Sequence, residues 1–575
     1  MKQIQNKTGA ITAPVFVGLL FVAFSASFFL LTAWLWPFRP LPVKGFTQEA
    51  LAFASALILL IGLSWHRLHI SLSVLFALVL ACIPLAQWWS GTISFAGSAW
   101  LNSLYLLCFA LMLLVGSNLA ARQDTSRLLV NLLAATLVLA GILSTWIALR
   151  QYLHLADSNW EINLHRSRPY ANLAQPNNLA TLLGMGLAAC LYFYERHLLG
   201  KIAAALIAFF LIVGMAATQS RTPWVTTFAV LVFWLIKSGS FKPRLRFVAL
   251  CGWAACYAFF VVTLPLLYSF LDFSGASLMQ RAAALERWAL WSQMWFAITQ
   301  GPFWGYGWDQ TGAAQVAITL EQPLHRMTGY SHNLVLDLML WIGLVPGGIL
   351  VGIALLWLAR LGWLARSKES LFALIAAGFI LVHSMLEFPF AYAYFLLPLG
   401  LLLGIASADK PERTLLQLPR FSLLPIIAGG CWLLLITFTD HKILVADHLA
   451  QRMEAAHVIG FENRTPVSEV RLLTQYRELQ RFKSAPVQDG YDEDQLVWMQ
   501  KVVHQYPHLA NLYRYVLILY RNDQPKQAEH YLEILCGLHR PHLCEEAQEQ
   551  LTAFLKELSA SQATSEPSSQ TDTSL

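Results

Sequence analysis

The stretch APVFVGLLFVAFSASFFLLTAWL, residues 13–35, runs for 23 positions without a charged side chain. A helix of about 20 mostly apolar residues is long enough to cross the hydrocarbon core of a membrane. Because isolated strands leave backbone polar groups unsatisfied in lipid, such stretches are predicted to be helices. Twelve comparable stretches follow along the chain: 48–65, 71–88, 98–119, 128–149, 176–194, 201–218, 223–236, 247–270, 333–359, 370–388, 390–407 and 422–438. The sequence therefore predicts an all-α polytopic membrane protein.

The expected number of transmembrane helices is twelve or thirteen. The stretch 223–236 is short, and the stretches 370–388 and 390–407 are divided only by Phe388-Pro389-Phe390. Thirteen spans are the preferred prediction, and twelve are the alternative.

The distribution of charge divides the chain into a membrane domain and a tail. The whole chain is 13% charged, whereas a soluble domain is about one quarter charged. Residues 1–438 carry a net charge of +12 and form the predicted transmembrane domain. Residues 439–558 are predicted to be a soluble tail of amphipathic helices, in which 507–558 has spacing similar to a tetratricopeptide repeat or to a generic helical bundle. Residues 559–575 are rich in Ser, Thr, Gln and Ala and are predicted to be disordered.

Lys and Arg in the connecting segments indicate the orientation of a membrane protein. With the N-terminus in the cytoplasm, 17 of those in residues 1–438 lie on the cytoplasmic side and nine on the opposite side. Thirteen spans then put the tail in the periplasm, where Cys536 and Cys544 are able to form a disulfide. Seven of the nine opposite cations fall in residues 150–175, 219–222 and 271–332. Positive charge retained on that side indicates an anionic ligand.

A polar cluster ends the loop 150–175, at the predicted start of the sixth helix. It contains Arg168, Tyr170, Gln175 and Asn177. The N-terminus of a helix presents free N–H groups and a positive dipole end to an anion. Simple capping by Asn177 is the alternative, but the nearby arginines favour a ligand site.

Two further segments with arginines lie on the same predicted side. Arg221 stands between two apolar stretches, where either an anionic ligand or the lipid headgroups attract it. The long loop 271–332 contains Arg281 and Arg287, followed by the run GPFWGYGW at 301–308. This run is predicted to be a turn with exposed aromatic rings, which are suited equally to stacking on sugars and to anchoring in the membrane interface.

Ionisable residues also stand at the ends of two predicted spans. His332 lies where the chain re-enters the membrane, and His383, Glu387 and Tyr392 lie around the outer end of the eleventh span. A neutral imidazole accepts a proton near neutral pH, and charged residues within spans are functional candidates. The alternatives are that His332 caps the tenth helix and that His383 pairs with Glu387 four residues later. All these clusters are predicted to open on one face of the membrane.

These residues in this order resemble the bacterial O-antigen ligase and polymerase superfamily, and most closely its protein O-oligosaccharyltransferase branch. The resemblance extends over residues 10–440 and a C-terminal region of the same kind. The motifs that carry it are Arg168-Pro169-Tyr170, Gln175-Pro176-Asn177, Ser220-Arg221, Arg287 with Trp291, Gly305-Tyr306-Gly307, Ser331-His332-Asn333, Gly343-Leu344, His383 with Glu387 and Pro389, and Tyr392 with Tyr394-Phe395.

The resemblance implies a metal-independent glycosyltransferase without a cofactor, in the bacterial inner membrane with its active face in the periplasm. The implied donor is a glycan on undecaprenyl diphosphate, and the implied acceptor is a Ser or Thr hydroxyl of a protein, often a type IV pilin. Nucleic acid is not an expected partner. Arg221 and Arg287 would hold the diphosphate through their planar donor groups, and His332 would be the base for the acceptor hydroxyl. The residues assigned to substrate binding are Arg168, Tyr170, Gln175, Asn177, Arg281, His383, Glu387 and Tyr392.

Two alternative functions remain open from the sequence. A ligase to lipid A core, or a polymerase of O-antigen units, would use the same donor site with a different acceptor. A transporter or flippase would need charged residues deep in several spans. The predicted spans are nearly free of charge, which argues against a transporter.

Overall fold

The computed structural model describes residues 13–156, 158–164, 168–270, 279–458 and 469–565. Two short strands, β1 (Leu68–Ser71) and β2 (Thr414–Leu418), form an antiparallel pair. The helices are α1 (Ala13–Leu35), α2 (Phe46–Ser64), α3 (Leu72–Leu80), α4 (Ile83–Trp89), α5 (Ala96–Ala120), α6 (Gln123–Tyr152), α7 (Pro176–Glu195), α8 (Lys201–Ala217), α9 (Thr222–Phe241), α10 (Phe247–Phe270), α11 (Met279–Gln300), α12 (Thr311–Ile318), α13 (Leu334–Ile342), α14 (Leu344–Leu364), α15 (Lys368–Ser384), α16 (Ala393–Ser407), α17 (Leu424–Ala455), α18 (Thr474–Ser484), α19 (Glu493–Gln505), α20 (Leu509–Arg521), α21 (Pro525–Leu538) and α22 (Pro541–Ser565).

Within those ranges, nine helical segments are long and apolar enough to cross a membrane. They are α1, α2, α3 with α4, α5, α6, α9, α10, α14 and α17, and they confirm the prediction of an all-α polytopic membrane protein. The other four predicted spans are also helical and correspond to α7, α8, α15 and α16. Three of these have only 17, 17 and 15 residues. Whether these four helices cross the membrane stays a prediction.

Helices α7, α15 and α16 lie largely inside the bundle. Almost every residue of α16 is buried, and α16 packs closely against α5. A Cβ atom added at Gly404 would lie 2.4 Å from the Leu113 carbonyl oxygen, so only glycine permits this approach. Close contact through small residues is how helices associate in lipid. Because interior helices contact protein instead of lipid, they tolerate polar side chains such as Thr181 and His383.

The tenth predicted span is not one continuous helix. The chain breaks at Gly343, whose φ of 98° lies in the region that favours glycine. The carbonyl oxygens of Leu340 and Trp341 accept hydrogen bonds from the N–H groups of Tyr306 and Gly307, at 2.9 and 3.1 Å. The prediction of a single helix was wrong because a distant loop takes these carbonyl groups away from the helix. As a result, α13 is a separate helix of nine residues.

The glycine and aromatic run 301–308 is exposed only in part. Phe303 and Trp304 are exposed, as expected, whereas Trp308 is buried with its ring centroid 5.3 Å from that of Trp341. The expectation of exposed rings was wrong for Trp308, because the backbone pairing with α13 draws this part of the run inward.

Beyond α17 the tail consists of α18 to α22, which pack around an apolar cluster that also includes Phe95 and Val316 of the membrane domain. Cys536 and Cys544 form the expected disulfide. The last helix extends to Ser565, so residues 559–565 are helical where disorder was predicted. Alanine and glutamine in this segment favour continuation of the helix. The remainder of that predicted segment, 566–575, lies outside the described residues.

The tail contacts the membrane domain directly. The Nε1 atom of Trp100, near the start of α5, donates to the Leu472 carbonyl at 2.8 Å. The backbone N–H of His325 donates to the Gly537 carbonyl at 2.9 Å. The tail therefore packs against the loop that leads from His325 to His332.

Candidate active site

Glu387 is the centre of a polar cluster in which distant parts of the chain meet. Its Oε2 atom lies 2.6 Å from Nδ1 of His332 and 3.5 Å from Nε2 of Gln175. Its Oε1 atom lies 3.1 Å from Nδ2 of Asn177 and forms an ion pair with Arg287. The Glu387 side chain is 7% exposed, so these partners replace the water that an ionised carboxylate requires. We call these five residues the Glu387 cluster.

The ends of two helices position the Glu387 cluster. Helix α15 ends at Ser384, and Glu387 follows in the turn that leads to Pro389. Gln175 immediately precedes Pro176, the first residue of α7. A helix N-terminus stabilises a nearby negative charge, and the side chains of Gln175 and Asn177 reach the carboxylate from that end. Gln175, the N-cap residue of α7, makes no capping hydrogen bond, and the Asn177 side chain bonds Glu387 and Ser220 instead of capping the helix.

The backbone around His332 is fixed on both sides. His332 itself has a φ of 60°, which is uncommon for a residue with a side chain. The Ser331 N–H donates to Oδ1 of the buried Asp337 at 2.8 Å. The Asn333 side chain accepts from two N–H groups of the first turn of α13. Asn333 is thus the cap of α13, and the alternative in which His332 caps this helix is wrong.

The contact with Glu387 defines the chemistry of the His332 ring. An ionised carboxylate only accepts hydrogen bonds, so Nδ1 of His332 donates and Nε2 carries the free lone pair. Burial alone would raise the pKa of Glu387, but the hydrogen bond from His332 and the charge of Arg287 hold that pKa below its ordinary value. Within the described residues Nε2 of His332 has no hydrogen-bond partner, and its side chain is 17% exposed. This nitrogen is able to accept a proton from a bound group.

Arg287 approaches the Glu387 cluster from α11, in the long loop. The indole Nε1 of Trp291, one turn further along, donates to the Ser331 carbonyl at 3.0 Å. This hydrogen bond joins α11 to the segment that bears His332. The Arg287 side chain remains 29% exposed, so part of its guanidinium is accessible to a ligand.

Arg221 is linked to the cluster through its neighbour. The Ser220 Oγ atom donates to Oδ1 of Asn177 at 2.6 Å, which holds the corner before α9 against the start of α7. Arg221 is the residue preceding α9 and is exposed. All four predicted polar clusters therefore have members at this site.

The other candidate residues lie around the Glu387 cluster in different environments. The Nε atom of Arg168 donates to the Thr218 carbonyl at 2.8 Å. The Tyr170 hydroxyl donates to the Asn163 carbonyl at 2.7 Å, and Tyr392 stacks on Tyr394. Tyr170 and Tyr392 therefore contribute to packing beside the site. The side chain of Arg281 lies outside the described residues.

His383 is fully buried and does not pair with Glu387. Its Nδ1 atom lies 2.8 Å from Oγ1 of Thr181, which joins α15 to α7. The alternative of a His383–Glu387 pair was wrong because the Glu387 carboxylate bonds His332 and Arg287 instead. Sequence reasoning missed the supporting roles of Thr181 and Asp337. A buried acid in an apolar helix, such as Asp337, is a signal that identifies one of them.

A histidine–carboxylate pair and an arginine thus meet at one end of the buried helices of this polytopic membrane protein. The family described as O-Antigen ligase matches residues 206–352, and the Protein glycosylation ligase family matches residues 169–193. The family described as Virulence factor membrane-bound polymerase, C-terminal, matches residues 371–552. These matches include the segments that carry the Glu387 cluster.

Two relatives are similar over most of their length. The chain is 32% identical to the General O-oligosaccharyltransferase of Acinetobacter baylyi, over 88% of this chain and 90% of that protein. It is 27% identical to the ComP-specific O-oligosaccharyltransferase of the same organism, over 86% of this chain and 90% of that protein. No solved structure matches the chain. The chain belongs to the O-oligosaccharyltransferase family and is a glycosyltransferase of O-linked glycans.

Proposed function

We propose that this protein transfers a glycan en bloc from undecaprenyl diphosphate to a Ser or Thr hydroxyl of a protein. The observation that carries the proposal is the pairing of His332 with Glu387, 2.6 Å apart, beside the accessible guanidinium of Arg287. A proton acceptor next to an anion-binding group is what the transfer of a glycan from a diphosphate requires.

In the proposed reaction, the acceptor oxygen forms a bond with the anomeric carbon of the glycan. The bond between that carbon and the diphosphate oxygen breaks, and its electron pair leaves with the diphosphate. Nε2 of His332 takes the hydroxyl proton, while Glu387 orients the ring through Nδ1. The imidazolium that forms is then stabilised by the carboxylate beside it.

Arg287 and Arg221 are proposed to bind the diphosphate. A guanidinium is always charged and donates two parallel hydrogen bonds to phosphate oxygens. Arg287 is paired with Glu387, and its exposed portion is available to the donor. Gln175 and Asn177 are proposed to line the same donor site through their amides, with Arg168 nearby. For Tyr170, His383 and Tyr392 a role in shaping the site is favoured over direct contact.

The acceptor is proposed to be a periplasmic or pilin protein. In favour of a protein acceptor, the tail contacts the loop that bears His332 through His325, so it offers a surface next to the site. The second candidate is a ligase to lipid A core, because the matching family over residues 206–352 is described as O-Antigen ligase. The two candidates share the donor site and differ only in the acceptor.

The experiment that tests this function is deletion of the gene, with intact-mass measurement of secreted pilins and periplasmic proteins beside a lipopolysaccharide gel. We expect glycan masses to disappear from one or more proteins and to return with the wild-type gene, with the lipopolysaccharide unchanged. Loss of O-antigen from the lipopolysaccharide, with unchanged protein masses, would contradict a protein acceptor and favour the ligase.

We propose that the site and the tail face the periplasm from the inner membrane. The excess of Lys and Arg in the opposite segments and the disulfide in the tail support this side. A reporter enzyme that is active only in the periplasm should be active when fused after Leu558. Activity of a cytoplasmic reporter at the same position would mean an even number of spans and would place the tail in the cytoplasm, which contradicts the proposal.

Replacement of Arg287 by Lys should weaken donor use although the charge is kept. Lysine has a single ammonium group that does not reproduce the paired donors of the guanidinium. Hydrogen bonds to charged groups contribute about 1.5–3 kcal/mol, so we expect kcat/KM for the lipid-linked donor to fall by roughly tenfold to a hundredfold. The matched control is Arg326→Lys, because Arg326 pairs with the exposed Glu286 in the same loop. Equal loss in both variants would contradict a specific role for Arg287.

A further inference from the structure

An apolar cavity of about 450 Å³ lies between α7, α8, α9, α10 and α15. This volume is within the range of sites that bind a small molecule or one lipid chain. Most of its walls are aliphatic or aromatic, with Leu191, Ile212, Trp253 and Phe379 among the lining residues. An apolar interior of this size favours a hydrocarbon chain over a soluble ligand.

The cavity extends along most of the length of α8. Its lining includes Lys201 and Met215, which are separated by about 21 Å at 1.5 Å per residue. The hydrocarbon core of a membrane is roughly 30 Å thick, so one leaflet accounts for about 15 Å. An acyl chain that enters at Lys201 therefore fits within the cavity.

Basic residues surround one end of the cavity. Lys201, Arg244 and Arg246 all line it. This end is the one far from the Glu387 cluster, because α8 begins at Lys201 and finishes just before the corner at Ser220. At the near end, the Tyr257 hydroxyl lies 3.5 Å from the Ser220 carbonyl.

We call the end of the cavity at Lys201, Arg244 and Arg246 its entrance. These three residues differ in how many hydrogen bonds and ion pairs they form within the protein. Arg244 stacks on the Tyr194 ring and donates to the Tyr194 carbonyl. The Glu195 carboxylate nearby accepts from the backbone N–H groups of Arg244 and Leu245. Lys201 and Arg246 are exposed, and neither side chain has a hydrogen bond or ion pair with any other described residue.

Lys237, by contrast, is a lysine whose ammonium group is hydrogen-bonded within the protein. The Lys237 ammonium group donates to the carbonyls of Trp363 and Ala365 at 2.8 and 3.0 Å. Lys201 and Arg246 have no such partners among the described residues. In addition, α8 and α10 begin beside them, so the positive ends of two helix dipoles add to the charge there. The entrance thus combines positive charge with an apolar interior.

We infer that this cavity binds an anionic phospholipid, with its phosphate at Lys201, Arg244 and Arg246 and one acyl chain between α8 and α10. The positive charge at the entrance favours an anionic phospholipid over the polyprenyl donor. A polyprenyl donor whose diphosphate lies at Arg287 would place its headgroup at the opposite end and leave these cations without a counterion.

The bound phospholipid completes the packing of α9 and α10. Few residues of either helix are buried by protein, and both line the cavity. Because Arg221 immediately precedes α9, a lipid that fixes α9 also stabilises the position of that arginine. Binding of the phospholipid itself does not depend on the proposed reaction.

The test is native mass spectrometry of the purified full chain with added phosphatidylglycerol or phosphatidylcholine. The wild type should retain phosphatidylglycerol in preference to phosphatidylcholine. Each Lys or Arg near the membrane surface contributes about 1 kcal/mol to binding of an anionic lipid, so the double variant Lys201→Gln/Arg246→Gln should bind phosphatidylglycerol on the order of tenfold or more weakly. The matched control is Lys242→Gln/Arg413→Gln, because both residues are exposed and outside the cavity.

A second variant tests the apolar part of the cavity without a change of charge. Ala208 lines the cavity, so Ala208→Phe should fill it and reduce phospholipid retention in the same assay. Unchanged retention in both the double variant and Ala208→Phe would overturn the inference. Displacement of phosphatidylglycerol by added undecaprenyl diphosphate, one molecule for one, would also overturn it and assign the cavity to the donor chain.

Discussion

His332→Asn should abolish glycan transfer while the protein continues to fold and to bind its lipid-linked donor. Asparagine is close in size and retains a hydrogen-bonding group for Glu387, but it cannot take a proton from the acceptor. General-base catalysis contributes roughly a hundredfold to ten-thousandfold, so we expect kcat to fall within that range. The measurement is the initial rate with purified acceptor and lipid-linked donor, at equal protein concentration.

The matched control for this variant is His325→Asn. His325 lies in the same loop, but its ring contacts the Cys536 carbonyl in the tail instead of the Glu387 cluster. We expect near-normal turnover in this control, because the backbone hydrogen bond from residue 325 to Gly537 keeps the tail in contact with the loop. A fully active His332→Asn variant would contradict the role of His332 as base. The remaining mechanism would then be attack of the acceptor hydroxyl on the activated glycan without a general base.

Glu387→Gln should cause a loss of similar size, because it changes both the charge and the direction of the hydrogen bond to His332. A glutamine amide donates as well as accepts, so its NH₂ group stabilises the tautomer with the proton on Nε2. That tautomer has no lone pair for the acceptor hydroxyl. The corresponding change in the serine protease triad costs about ten-thousandfold in kcat, and we expect a loss on the order of a thousandfold or more here.

Two readouts separate this effect from a loss of structure. Glu286→Gln removes a carboxylate from an exposed ion pair with Arg326, and surface pairs of this kind contribute about 0–1 kcal/mol. The activity of Glu286→Gln should stay within a fewfold of wild type. For Glu387→Gln, a thermal unfolding midpoint close to that of the wild type would show that the variant is folded. Retention of wild-type kcat together with an unchanged pH profile in Glu387→Gln would mean that the carboxylate does not orient the base.

Apolar length was sufficient to predict the long apolar helices of the membrane domain, because a helix in lipid needs such a stretch whatever its neighbours are. It did not predict α11 and α12, which lie in the segment 271–332 that was expected to be a loop. Apolar length was also not sufficient at Gly343, where residues 306 and 307 satisfy the carbonyls that would extend α13. That competition involves positions far apart in the sequence and has no local signal. The same limit applies to Trp308, whose burial depends on this pairing.

The candidate site was predictable as a set of residues but not as a geometry. His332 and Glu387 were each identified by the cost of a polar residue near the membrane. Their mutual contact was not, because the local spacing favoured a pair between His383 and Glu387 within one helix. In the structure the Glu387 carboxylate instead contacts His332 and Arg287. These residues lie 55 and 100 positions away in the sequence, so no local signal predicts the contact.

The docking of the tail through His325 bears on how chimeric enzymes of this family should be designed. Both the backbone N–H and the ring of His325 contact the residues around the disulfide, at Gly537 and Cys536. A fusion junction placed after α17 would therefore separate the tail from a loop to which it is fitted. Exchange of acceptor preference between two relatives should succeed more often when residues 301–332 are transplanted together with the tail.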